Sequence, residues 1–368
     1  MVVSDRILMG PGPSNIYPEV AMALQRPLLG HLDPDFLEIL DQTCQRLRAV
    51  FGTDSAATLP ISGTGSAGME AAFVNFVAPG DAVVVGVNGL FGERMCDVAA
   101  RCGAEVVRVD AEWGRPLDVS QVLSAHSSPK VVAAVHAETS TGVRNDIAGL
   151  AAGKGEALLV ADCVTSLGGI EVTLDAWGVD IAYAGTQKCL GVPPGLAPFT
   201  ASPRAMERRV ERPQSWYLDL GMLAAYTGPT SGQTARRYHH TAPVTMIMAL
   251  HAGLGAILDE GLQAAIDRHQ RCGAALQEGL TKLGFELFAA DGHRLPELTT
   301  VTWPEHLLPD GLDEAGVRRL LLNEYGIEIG GGVGEWAGRM WRIGCMGHTA
   351  RPRNVAMLLG ALSDILGR

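Results

Sequence analysis

Lys188 sits in the run Asp180-Ile181-Ala182-Tyr183-Ala184-Gly185-Thr186-Gln187-Lys188-Cys189-Leu190-Gly191-Val192-Pro193-Pro194-Gly195, where a short apolar strand delivers a lone lysine into a turn rich in Gly and Pro. Burial in such a turn lowers an ammonium pKa and frees a nucleophilic amine, the requirement for a Schiff-base former. The run alone is equally compatible with a surface lysine after a strand. Upstream, Ala157-Leu158-Leu159-Val160-Ala161-Asp162 reads as a buried strand ending in a carboxylate. Ligands of open α/β sheets bind at the carboxyl ends of strands, so Asp162 and Lys188 are placed to face one crevice. An amine and a carboxylate so placed are what pyridoxal 5'-phosphate needs: the amine carries the cofactor and the carboxylate keeps its ring nitrogen protonated, so that the ring acts as an electron sink. Alone, Asp162 reads as a cap or turn residue.

Gly63-Thr64-Gly65-Ser66-Ala67-Gly68 matches GxGxxG, follows a strand-like stretch and opens a helix. Exposed amides and the helix dipole make that a phosphate site. A dinucleotide fingerprint also needs an acid about 20 residues on, and position 88 is Asn. The nicotinamide-enzyme reading is thus weak, and a ligand-free tight turn stays open. Thr139, in His136-Ala137-Glu138-Thr139-Ser140-Thr141-Gly142, follows an apolar strand toward the same edge, as a cofactor hydrogen-bond donor or as an ST-turn residue. Phe91 is either core or a ring that stacks on an aromatic cofactor. Arg342 lies in the apolar run Met340-Trp341-Arg342-Ile343-Gly344. Its planar fork suits a substrate carboxylate, and a structural salt bridge is the plain alternative. In Tyr238-His239-His240-Thr241, Thr241 reads as a cap for a helix beginning near Pro243.

The elements that must position these groups alternate along the chain. Helix 66–77 leads to strand 82–87 and helix 93–101 to strand 105–109, followed by strands near 131–136, 157–161, 180–184 and 196–201, a pattern that predicts a mostly parallel sheet covered by helices. Gly10-Pro11-Gly12-Pro13-Ser14-Asn15 reads as an extended arm. From about Pro243 the pattern turns helical, broken near Glu260-Gly261, and leads into strands 299–302, 327–329 and 340–343 and a closing helix 352–366. The expected organisation is an arm over 1–20, a large α/β domain over 21–260 and a small α+β domain over 261–368.

A chain of 368 residues, 47% hydrophobic, is long enough for two domains. A formal charge of -11 argues against a nucleic-acid or membrane-surface binder. Seven unpatterned cysteines fit reduced thiols in a cytoplasmic protein. No metal site is expected, since His239 and His240 are adjacent rather than at ligand spacing. No signal peptide or membrane span is read.

Seven segments together resemble the class V, fold-type I pyridoxal-phosphate aminotransferases, specifically the alanine-glyoxylate and serine-glyoxylate group. They are GPGPSN at 10–15, SGTGSAGMEAAFVN at 62–75, ETSTGV at 138–143, ADCVTSLGG at 161–169, GTQKCLGVPPG at 185–195, YHHTAP at 238–243 and RIGCMG at 342–347. The resemblance implies that Lys188 forms the Schiff base and then moves the α-proton. It implies that Asp162 pairs with the ring nitrogen, Val164 packs under the ring, Phe91 stacks over it and Thr139 contacts the phenolic oxygen. Thr64, Gly65, Ser66 and Gln187 would hold the phosphate, joined by Tyr238 and Thr241 of a neighbouring subunit, so a homodimer with shared sites is implied. Arg342 would bind the substrate carboxylate near Ser14 and Asn15.

The implied reaction takes the amino group of a small L-amino acid, alanine or serine, to glyoxylate or pyruvate. Two departures bear on the donor: alanine-glyoxylate members often have tryptophan at the place of Phe91 and histidine at that of Ser66. A ureidoglycine-glyoxylate branch is also similar, notably through GTQKCLGVPPGLAP and Glu112-Trp113-Gly114, but carries glutamine at the place of His31 and asparagine at that of Tyr238. A class V lyase or cysteine desulfurase is the other alternative and needs a mobile nucleophilic cysteine.

Overall fold

The computed structural model describes residues 5–228, 236–304 and 306–367; the first four residues of the expected arm lie outside them. The central sheet has seven strands in the spatial order Ala57–Ser62, Leu196–Ala201, Ile181–Tyr183, Leu158–Asp162, Val131–Val135, Ala82–Val87 and Glu105–Asp110. Successive pairs are parallel from Glu105–Asp110 to Ile181–Tyr183, and Leu196–Ala201 runs antiparallel to both its neighbours. Runs such as Val83-Val84-Val85 and Leu158-Leu159-Val160-Ala161 are fully buried. Continuous apolar strands of this kind are stable only when helices cover both faces.

The register decides the chemistry. Val135 pairs with Asp162, and Asp162 with Tyr183, so three neighbouring strands end at one level. Helices then return the chain. Gly65–Phe76 begins one residue before the expected start, and Leu90–Arg101 begins three before it, which brings Phe91 into the helix. The helix after the Tyr238 cluster starts at Val244 with Pro243 at its cap position and no side-chain cap bond. The expected capping role of Thr241 is therefore not realised, because the cap position falls two residues beyond it, at Pro243.

A second, four-stranded antiparallel sheet has the order Glu286–Leu287, Leu298–Thr302, Trp341–Gly344, Gly330–Gly331. Its core gathers Leu276, Leu280, Val301, Trp341, Ile343, Leu358 and Leu362. The helices Val244–Glu260 and Leu262–Lys282 meet at Gly261, where the path bends by 84°. Gly261 has φ of 90°, a left-handed value that accounts for a glycine at the corner. Among the described residues no single helix is long and apolar enough to cross a membrane.

The N-terminal arm is structured. Ile7–Leu8 pairs in parallel with Ile327–Glu328, Met9 is buried in the second core, and the chain then crosses to Lys188.

Candidate active site

The carboxyl ends of the parallel strands enclose a cavity of about 160 Å³. Thr64, Gly65, Ser66, Phe91, Thr139, Asp162, Val164, Gln187 and Lys188 all line it. Each is delivered by the end of a sheet strand or by the turn or helix that follows one. Asp162 is the last residue of its strand, and Lys188 follows the Ile181–Tyr183 strand into the turn of Gly185 to Gly191. Thr139 follows Val131–Val135, and Phe91 lies in the first turn of the helix after Ala82–Val87.

Lys188 is buried, and burial lowers its amine to about 8, with the positive charge of Arg342 acting in the same sense and Asp162 and Glu138 opposing it. Its Nζ donates to the carbonyl of Pro11. The arm therefore closes over the amine, and this explains Gly12: its φ is 109°, and a Cβ there would stand 2.7 Å from Lys188 Nζ. Ser14 donates through Oγ to Lys188 O at 2.8 Å and through N to Gln187 O at 2.8 Å. Asn15 accepts from Leu8 N and Thr349 Oγ1 and donates to Arg6 O. Ser14 and Asn15 thus use their side chains to hold the arm against the lysine turn.

Asp162 is 3% exposed, and burial raises its carboxyl to about 6. Val164 N donates to its Oδ1 at 2.8 Å and Tyr183 Oη to its Oδ2 at 3.0 Å, both favouring the charged form. The result is an oriented carboxylate that is ionised above about pH 6.

The helix Gly65–Phe76 directs its N-terminus into the same cavity. A Cβ on Gly65 would lie 2.7 Å from Val164 Cγ2, so only glycine lets this helix start approach the cavity floor. Gln187 Oε1 is buried without a hydrogen-bond partner beside these groups. An amide cradle, a carboxylate and a depressed amine around one cavity fit pyridoxal 5'-phosphate. Thr64, Gly65, Ser66 and Gln187 would hold its phosphate, Asp162 its ring nitrogen and Lys188 its aldehyde carbon. When bound, the cofactor supplies a ring that withdraws electrons from the substrate α-carbon.

Arg342 is not part of this lining. It reaches from the second sheet, with Nε donating to Gly331 O at 2.7 Å and no carboxylate paired to it among the described residues. The structural salt bridge considered for it is absent there, which leaves the rest of the guanidinium for an incoming anion.

Tyr238 and Thr241 are exposed and lie outside the cavity of their own chain. Tyr238 is 61% exposed and meets His31 at 5.6 Å between ring centres. Trp216 stacks on His239 and Tyr217 meets His240 edge-on, so large apolar side chains gather on this surface.

Some lining residues were not singled out from the sequence: Met69, Arg94, Val135, Ala137 and Thr165. Glu138, behind them, accepts from Phe91 N at 3.2 Å, Ser140 N at 3.0 Å and Ser140 Oγ at 2.6 Å, with burial pushing its carboxyl up to about 7. It holds the start of the Phe91 helix. Cys189 and Cys345 are both fully buried, which removes the mobile cysteine that the desulfurase alternative requires.

Three comparisons bear on this geometry. The family model Aminotransferase class-V matches residues 14–335. Among characterised relatives, the alanine–glyoxylate aminotransferase of Drosophila melanogaster is 38% identical, over 100% of this chain and 93% of that protein. The (S)-ureidoglycine–glyoxylate transaminase of Bacillus subtilis is 37% identical, over 99% and 91%. Among solved structures, an alanine–glyoxylate aminotransferase from Nostoc sp. superposes with a TM-score of 0.93 and 44% identity, covering 100% of this chain and 96% of that one.

Proposed function

We propose that this chain, which belongs to the class-V aminotransferase family, transfers the amino group of a small L-amino acid, alanine or serine, to glyoxylate or pyruvate. The observation that carries this reading is the convergence of Lys188 and Asp162 in one cavity beside an amide cradle, joined to 44% identity with a solved alanine–glyoxylate aminotransferase.

The chain's own groups divide the work. Arg342 binds the α-carboxylate of either substrate, which fixes the α-carbon over the cavity. Lys188 would hold the cofactor through its amine and, as a free amine, would take the α-proton at Nζ and give it back. Asp162 would hold negative charge against the ring nitrogen, and Phe91 and Val164, which line the same cavity, would pack against the ring.

The site is completed in a homodimer, with Tyr238 and Thr241 of one chain serving the phosphate of the other. Their absence from the lining of their own cavity supports this, as does the exposed group of Trp216, Tyr217 and Tyr238, with Leu28 and Leu32 on the His31 segment. The seven free cysteines are in keeping with a cytoplasmic protein.

Ureidoglycine as donor is a second reading, favoured by the Bacillus subtilis relative. His31 and Tyr238 stand where the resemblance places glutamine and asparagine in that branch, and they remove the amide groups that would read a ureido function.

The test is spectroscopic. Each of L-alanine, L-serine, L-cysteine and ureidoglycine is added to the purified protein with its cofactor, followed by glyoxylate or pyruvate. Loss of the cofactor's visible band with alanine or serine and its return with glyoxylate is the expected outcome. A cycle with ureidoglycine alone moves the protein to the second reading, and sulfide release from L-cysteine without any oxo acid overturns the transaminase assignment.

A further inference from the structure

Arg94 is the charged residue of the cavity to which the resemblance assigns no task. It lies one turn beyond Phe91 on the helix Leu90–Arg101, its guanidinium carbon 4.9 Å from the Phe91 ring centre and its Nη1 3.4 Å from Ser66 Oγ. The acids nearest it on that helix are committed elsewhere: Glu93 pairs with Arg108, and Asp97 with Arg101. Arg94 has no ion pair among the described residues, and its charge acts inward on Asp162. Its outer part is open to solvent.

The charge balance of the cradle is incomplete without it. A phosphate monoester carries about −1.5 to −2 charges at pH 7, and a helix N-terminus offers roughly +0.5. Thr64, Gly65, Ser66 and Gln187 are neutral donors. Lys188 is the other cation lining the cavity, and its amine is committed to the aldehyde carbon.

We propose that Arg94 is the cationic ligand of the cofactor phosphate, closing the open side of the cradle formed by Thr64, Gly65 and Ser66. The inference rests on the pyridoxal-phosphate reading of the cavity. Its place one turn after Phe91 lets a single helix serve ring and phosphate together, with the guanidinium reaching the phosphate through the same gap that already brings it to Ser66.

Pyridoxal, which lacks the phosphate, separates this role from simple packing against Phe91. Cofactor-free protein and its R94Q and R94K variants are titrated with pyridoxal phosphate and with pyridoxal, following the visible band of the bound compound. R94Q weakens pyridoxal-phosphate binding about 10- to 100-fold, the loss expected for a charge-assisted contact, and leaves pyridoxal binding unchanged, with R94K in between. Added KCl weakens pyridoxal-phosphate binding more in the unaltered protein than in R94Q. The cofactor-free thermal midpoint of R94Q moves little, because what is lost is an exposed contact with Phe91 and a long hydrogen bond to Ser66 rather than an ion pair. Equal weakening of both compounds, or of neither, overturns the proposal while leaving the cofactor assignment intact; an unaltered protein that binds neither removes the reading on which it rests.

Discussion

Burial moves Lys188 and Asp162 in opposite senses, and each yields a test. The fraction of Lys188 present as free amine rises about tenfold per pH unit below its pKa, so capture of pyridoxal phosphate by cofactor-free protein accelerates with pH up to about 8 and then levels. Stopped-flow absorbance checks this, and Lys188→Ala abolishes the saturable phase. The stability sign follows from the same shift. Between about 8 and the ordinary 10.5 the unfolded chain holds more protons than the folded one, so the cofactor-free protein gains stability as pH rises through that window. For Asp162, D162N is expected to capture the cofactor yet lose turnover by about two to three orders of magnitude, the scale of removing one oriented electrostatic partner. Parallel measurement of the cofactor band and kcat checks this. A kcat within a few-fold of the unaltered enzyme removes Asp162 from its role. Both residues were legible in the sequence because Asp162 closes a short apolar strand and Lys188 stands in the Gly- and Pro-rich turn that follows another. Arg94 was not, since it stands beside Glu93 in a run of mixed charge that reads as a solvated helix face; its spacing of one turn from Phe91 was the available signal.

Elements set where these groups meet, and the arm shows how closely. Gly12→Ala places a methyl against Lys188 Nζ at a backbone angle that L-residues resist. The substitution is expected to cost about 1–2 kcal/mol of stability and to slow cofactor capture, read as a lower thermal midpoint and a slower visible phase. Unchanged capture with lowered stability would place the arm clear of the amine in solution. Most elements of the large sheet follow from apolar periodicity, as Ala82–Val87 and Leu196–Ala201 do residue for residue. Direction did not follow: nothing in Leu196–Ala201 marks it as the strand reversed against its neighbours, because a doubly buried strand has no polar face to betray its sense. The start of the Phe91 helix was also hidden. Its capping group is Glu138, distant in sequence, and Gly89 at the cap position makes no side-chain bond.

At the scale of the molecule, the prediction concerns sharing between subunits. A preparation of Lys188→Ala and a preparation of the Tyr238→Ala, Thr241→Val double variant are each expected to be weakly active. Random reassembly makes about half the dimers mixed, each with one complete site, so about a quarter of the native activity returns on mixing after dissociation. Absence of any recovery, with mixed dimers verified by mass, would return Tyr238 and Thr241 to their own chain. This arrangement was read from the resemblance alone, since a single chain carries the two halves of a composite site on separate surfaces.

Asn15 donates from its backbone N to Thr349 Oγ1 at 2.9 Å, across a separation of 334 positions, a few residues from the carbonyl that meets Lys188 Nζ. During synthesis the large sheet and its lysine turn are complete long before residue 349 has left the ribosome, and contacts of such sequence separation form last. The nascent enzyme therefore passes through a stage in which the amine is built but its cover still lacks the anchor at Thr349. Cofactor added to translating ribosomes should therefore reach Lys188 faster in that interval than it reaches the completed cofactor-free chain.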